Sequence, residues 1–244
     1  MPTRPIAVLA ASLSVAGGLT AAWPAWAQQE AAVPMFQTQV AKSVLDATAR
    51  AFLDPAAERR ETTAPAGAPL QTAFRPSPEI TRKIQGLFAD FVAKRASDAD
   101  IAKVGAAVTH GDPAKDWARI AAVQGLKPHD TADALAAYWV LSWQVANGAE
   151  ATRAQSLGVR EQVLGVLARN PAYGRLDDAG RQDFAETLML NFLLQHGAFV
   201  DATQRKDAAA LRPLGDAAAT RFKAETGVDL RALALTDKGL VPKR

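Results

Sequence analysis

Residues 131–147 read TADALAAYWVLSWQVAN, with Asp130 ahead of them and Gly148 behind. An aspartate before an apolar-rich run caps the free N–H groups of a helix start, and a glycine just past the run closes a helix. Between these marks only Thr131, Asp133, Ser142 and Gln144 are polar before Asn147. A helix apolar on nearly every side is normally surrounded by other helices. The stretch therefore predicts a buried central helix. A second run, Leu188-Met189-Leu190-Asn191-Phe192-Leu193-Leu194, predicts another heavily buried element. It belongs to a helix capped by Asp177, expected to bend or stop at Gly197.

The neighbouring segments are punctuated in the same way. Ser77-Pro78-Glu79 places a cap, a first-turn proline and an early acid in order. The stripe Ile80, Ile84, Leu87, Phe88, Phe91 and Val92 follows at spacings of four and three, so an amphipathic helix is expected there. A short helix is read over 98–109, ending at Gly111. The next opens at Asp112-Pro113, shows Trp117, Ile120 and Ala121 on one face and closes at Gly125. Residues 152–169 form the next, with Leu157, Leu164 and Leu167 facing in and Asn170-Pro171 ending it. Gly158 and Gly165 share a face of that helix, and two glycines there point to close backbone approach. The last long helix keeps Leu211, Leu214, Ala218 and Phe222 in register across Pro213, so it kinks or restarts at the proline and ends at Gly227. Residues 230–235 read as a short turn before a frayed tail. No period-two run and no Asn-Gly hairpin signal is found.

The fold class is therefore all-α: a single bundle of about six to eight helices around two buried central helices. The boundaries are a signal peptide over 1–27, an N-terminal segment over 28–53, a Pro/Ala-rich linker over 54–76, the helical domain over 77–235 and a C-terminal tail over 236–244. The signal reading rests on Arg4, an uncharged apolar stretch from Ile6 to Leu19, and Ala25-Trp26-Ala27 before Gln28-Gln29. Cleavage is expected between Ala27 and Gln28. The apolar stretch is short for a span of ~20 residues, and Gly17-Gly18 and Pro24 interrupt it. Residues 36–53 carry Phe36, Val40, Val44, Ala47 and Ala51 at helical spacing. The linker repeats proline without periodicity, so it reads as a mobile connector or an extended strap that sets this first helix apart from the bundle.

Composition narrows the class further. The 244 residues are 49% hydrophobic and 22% charged, with no cysteine. That length buries a real core without disulfides, and the lack of cysteine excludes both a disulfide scaffold and a lipid anchor on cysteine. Twenty-eight basic residues against 25 acids leave a net charge of +3, with the two signs interspersed. A nucleic-acid binder gathers its bases into a stripe, so no nucleic-acid partner is expected. No later segment is apolar for ~18 residues, so no transmembrane helix is expected in the mature chain.

Few residues offer chemistry. His129, Asp130 and Asp133 form H-D-x-x-D, but a helix start wants acids at those two places for capping and dipole reasons. His110 and His196 each precede a glycine, as at a helix C-terminus. Ser156 lies mid-helix, outside any G-x-S-x-G elbow, and no phosphate-binding glycine loop occurs. Glu150, Glu161, Asp183 and Glu186 are available for a carboxylate pair, as a glycosidase needs. Tyr138, Trp139 and Trp143 form an aromatic set on the central helix, which reads as core before it reads as a ligand cage. Their polar atoms need partners, for which Ser142, Asn147 and Asn191 are at hand. Asn191 itself must be hydrogen-bonded inside its apolar run. No catalytic, metal-binding or cofactor-binding residue is assigned on this basis, and no cofactor is expected.

Several segments together resemble a family of secreted bacterial proteins classed only as a domain of unknown function. They are Phe74-Arg75-Pro76-Ser77, Gly125-Leu126, Thr131-Ala132-Asp133-Ala134, Tyr138-Trp139 with Trp143, and Asn147-Gly148. Gly227-Val228-Asp229-Leu230 and Leu235-Thr236-Asp237-Lys238-Gly239-Leu240 complete the set. The resemblance covers about residues 74–241, implies an exported bacterial protein, and supplies no activity or catalytic residue.

The function expected is that of a non-enzymatic binding or interaction module, exported to the periplasm or exterior, with an unidentified protein or small-molecule partner. One alternative is a secreted hydrolase using a carboxylate pair such as Glu161 and Glu186. Another is an envelope-associated module docking through helix 36–53.

Overall fold

A computed structural model of the chain describes residues 70–94 and 113–243. The expected signal segment with Ala27 and Gln28, the helices read over 36–53 and 98–109, most of the expected linker and His110 lie outside the described residues. Within them the fold is all-α, with seven helices and one small sheet. The helices are α1 (Pro78–Ala93), α2 (Pro113–Val123), α3 (Thr131–Asn147), α4 (Arg153–Ala168), α5 (Pro171–Gly174), α6 (Asp178–Gln204) and α7 (Ala208–Thr226).

The two apolar runs lie on the central helices. On α3 every residue except Trp143 and Asn147 is buried, because α4, α6 and α7 pack around it. Its ends form as expected: the Asp130 carboxylate accepts from the Ala132 and Asp133 amides, and Gly148 closes the helix at φ 59°. That left-handed geometry is costly for residues with a Cβ. α6 packs on α1, α2, α3 and α7, and it runs on through Gly197 to Gln204 instead of stopping there. Thr131 Oγ1 reaches Arg181 O at 3.5 Å, and Ser142 Oγ reaches Gln195 Oε1 at 3.5 Å. Both contacts advance in the same direction, so α3 and α6 run parallel.

The flanking helices follow their stripes with exceptions. Ile84, Phe88, Phe91 and Val92 bury the inner face of α1, whereas Leu87 is exposed. Ser77 makes no side-chain cap; Gln182 of α6 instead donates to its carbonyl (2.9 Å) and accepts from its amide (2.7 Å). On α4 the buried face is Val159, Val163, Val166 and Leu167, while Leu157 and Leu164 are half-buried. Thr152 and Gln155 close a reciprocal capping box at its start. α7 continues through Pro213 as one helix, with Leu214, Ala218 and Phe222 buried.

The last residues of the linker form an extended strap. The Phe74 amide donates to His129 O (3.0 Å), the Thr131 amide to Thr72 O (2.9 Å), and Thr72 Oγ1 to Asp130 (2.7 Å). Tyr173 Oη donates to Gln71 O at 3.0 Å, and Phe74 is buried edge-on against His129.

The expectation of no strand fails at the C-terminus. Strands β1 (Leu233–Thr236) and β2 (Gly239–Pro242) pair antiparallel about Asp237-Lys238, where a frayed tail was expected. A lone two-stranded hairpin is marginal in water. This one is held by helix side chains: Gln162 both donates to Leu240 O and accepts from its amide, each at 3.0 Å. Gln155 donates to Leu235 O (3.1 Å) and Trp143 Nε1 to Leu233 O (3.0 Å). Gly158 admits the turn, because a Cβ there would lie 2.3 Å from Asp237 O. Gly165 meets only the end of the Arg169 side chain, so close approach concerns one glycine of the pair.

Candidate ligand-binding site

Two inward stripes build a cavity of about 390 Å³. On α3 they are Ala137, Val140, Leu141, Gln144, Val145 and the capping Gly148; on α6 they are Phe192, His196, Phe199, Val200, Thr203 and Gln204. Both sets step by three and four residues, so each occupies one helix face. α2 contributes Ile120 and Ala121 to the wall, Leu126 follows it, and Leu211 comes from α7. The size falls in the range of small-ligand sites, which is about 300–1,000 Å³. Because α3 and α6 run parallel, their polar ends coincide. Thr203 and Gln204 therefore lie at the same end as Gly148, Ala149 and the exposed Glu150.

Besides Ser156, two polar side chains sit on this wall more than nine-tenths buried, Gln144 at 7% exposure and His196 at 6%. Neither side chain makes a hydrogen bond among the described residues. His196 stacks on Phe192 with centroids 5.5 Å apart, and burial pushes its imidazole down to about 4, so it is neutral at pH 7. Gln124 and Ser156 also face the space but satisfy each other at 2.8 Å.

The residues weighed from sequence fall elsewhere or into structural roles. Asp130 caps α3, and His129 lies in the loop before it. Asp133 is buried and pairs with the Arg160 guanidinium. Burial and the nearby Asp130 charge push the Asp133 carboxyl up, against the pull of Arg160. Among the described residues no cluster of three metal-ligating side chains forms. Glu161 is exposed beside Arg160. Glu186 is buried and accepts from Gln182 (2.8 Å) and Thr81 (2.9 Å), while Asp183 pairs with Lys83. Thus Glu161 and Glu186 keep separate neighbours, and of the four acids only Glu150 reaches the cavity.

The aromatic set is core. Trp139 is fully buried, edge-on to Phe222 at 6.2 Å. Trp143 is half-buried under the hairpin. Tyr138 donates to Glu225 at 2.7 Å, so the partners of Tyr138 and Trp143 are Glu225 and Leu233 O instead of Ser142, Asn147 or Asn191. Asn191 donates to Thr187 O at 2.7 Å, as its apolar setting requires.

Sequence reasoning missed a buried polar group beside this core. Arg221 lies over the Tyr138 ring at 5.5 Å, donates to Gln195 at 2.6 Å and stands 3.9 Å from Glu225. Burial pushes the Glu225 carboxyl and the Tyr138 phenol up, and the Arg221 charge opposes both shifts. The signal was present: Arg221 and Glu225 continue the inward face of Leu214, Ala218 and Phe222 at offsets of three and four.

No curated protein and no solved structure matches the chain. One family model does, over residues 2–243, which extends beyond the segments quoted above. The chain therefore belongs to a family of unknown function, DUF6683.

Proposed function

We propose that this protein is an exported, non-enzymatic binding module of the periplasm or cell exterior, and that its ligand occupies the cavity between α2, α3, α6 and α7. The observation that carries the reading is the cavity itself, whose wall is mostly apolar with two buried polar side chains left over for a guest. Small-molecule sites are concave and mostly apolar, with a few polar groups that fix the guest, and this space has that make-up. Support for export comes from the ordered signal features over residues 1–27. The weighed acids fit structural roles better than a shared reaction centre, which favours binding over hydrolysis. No helix among the described residues is long and apolar enough to cross a membrane.

The test uses N-phenyl-1-naphthylamine, an uncharged fluorophore that brightens in apolar sites. Wild-type protein is expected to bind it saturably at one site. Val140→Trp, which fills the wall from α3, is expected to weaken binding at least tenfold while circular dichroism stays helical. Equal binding to both proteins would place the probe elsewhere and defeat the reading.

A further inference from the structure

The cavity wall has a definite chemistry. Its floor and sides are aliphatic and aromatic, supplied by residues such as Val140, Leu141, Val145, Phe192 and Phe199. No lysine or arginine occurs among the described residues that line it. Among these described residues the charged side chain is Glu150, an exposed acid at the end where the polar residues collect. Among the described residues an anionic head group would find no cation inside and an acid at that end. A cationic one would find no buried carboxylate among these residues to accompany it inward. Burying either ion unpaired is strongly unfavourable.

The wall nevertheless does not suit a pure hydrocarbon. Gln144 offers an amide donor and acceptor, and His196 in its neutral form offers one donor and one acceptor nitrogen. Their positions on the parallel helices α3 and α6 put them on two walls of the same space. Both side chains open onto the space, so water or a guest able to donate and accept can satisfy them there, and a pure hydrocarbon that displaced the water could not.

Resting on the cavity reading above, we propose that the site takes an uncharged amphiphile: an apolar body of the acyl-chain kind bearing one neutral hydrogen-bonding group, such as a hydroxyl, ester or amide, engaged by Gln144 and His196. Selectivity against charged amphiphiles of equal chain length is then a property of the wall. It follows from missing countercharge, not from shape.

The experiment is isothermal titration of the full chain at pH 7.5 with three twelve-carbon probes kept below their aggregation concentrations. They are monododecanoylglycerol (neutral), dodecanoate (anion) and dodecyltrimethylammonium (cation). The neutral ester is expected to bind at least tenfold more tightly than either ion. Gln144→Leu combined with His196→Phe is expected to weaken the ester at least fivefold. His196→Gln, which keeps a hydrogen-bonding edge, is expected to weaken it less than threefold, which separates lost recognition from lost folding. Equal or tighter binding of either ion overturns the ligand class while leaving the cavity reading intact. A double variant that binds the ester as wild type does overturns the role of the two side chains. If no amphiphile binds and the naphthylamine probe also fails, both readings fall together.

Discussion

Protonating His196 should loosen this protein, and by an amount the structure sets. The imidazole is buried at 6% exposure, and burial holds it at about 4, against about 6.5 for a free histidine. In the folded chain it stays neutral as pH falls below 6.5, while in the unfolded chain it takes a proton. The unfolded state then binds more protons, so stability present above pH 6.5 is lost as pH falls toward 4. At 1.36 kcal/mol per unit, the loss between pH 7.5 and 4.5 comes to roughly 2–3 kcal/mol. For a chain of this size that is about 5–10 °C in Tm. Asp133 and Glu225 have raised carboxyls, whose contributions run the other way as pH falls. The quantity to read is therefore a difference between two proteins. Urea unfolding of wild type and His196→Gln at both pH values should show wild type losing roughly 2–3 kcal/mol more than the variant. Equal losses in the two proteins would refute the reasoning, because His196 would then not be held neutral by burial.

Three other outcomes follow from the same structure. Tyr138→Phe deletes the 2.7 Å bond to the buried Glu225 and should cost ~1.5–3 kcal/mol in chemical denaturation, the range for hydrogen bonds to charged groups. Gly158→Ala puts a Cβ against the Asp237 carbonyl, so the hairpin must shift; a loss of ~1–3 kcal/mol is expected, with faster hydrogen exchange at the Leu240 amide, while Gly165→Ala should be near neutral. N-terminal sequencing of protein recovered from the periplasmic or culture fraction of a bacterial host should begin at Gln28, and Ala27→Arg should block processing.

The helices were legible because burial and periodicity speak directly of a helix's surroundings. Residues 131–147 carry almost no polar side chain, and the helix they form is enclosed on nearly all sides. Asp130 and Asp177 announce helix starts through the chemistry of orphan amides, and each accepts an amide in the structure. The hairpin escaped because its strands have four residues each, too short for alternation to stand out. What holds it is tertiary: the Gln155 and Gln162 side chains and the missing Cβ of Gly158. Gly197 misled because one helical glycine costs only ~1 kcal/mol, which the packing of α6 outweighs. The cavity was invisible for a further reason. The pattern Val140, Leu141, Gln144, Val145 fixes which face points inward, but not how far the opposite face stands away. Gln144 was apparent as a polar residue in an apolar run, yet only the structure places it across a space from His196.

The account stands or falls on whether the space between α3 and α6 is occupied. Native mass spectrometry of the protein recovered after export, without detergent, measures this most directly. The account predicts a wild-type population carrying one small, uncharged, extractable molecule, with Val140→Trp recovered bare. Wild-type protein recovered bare, and remaining bare when incubated with monododecanoylglycerol, would contradict it.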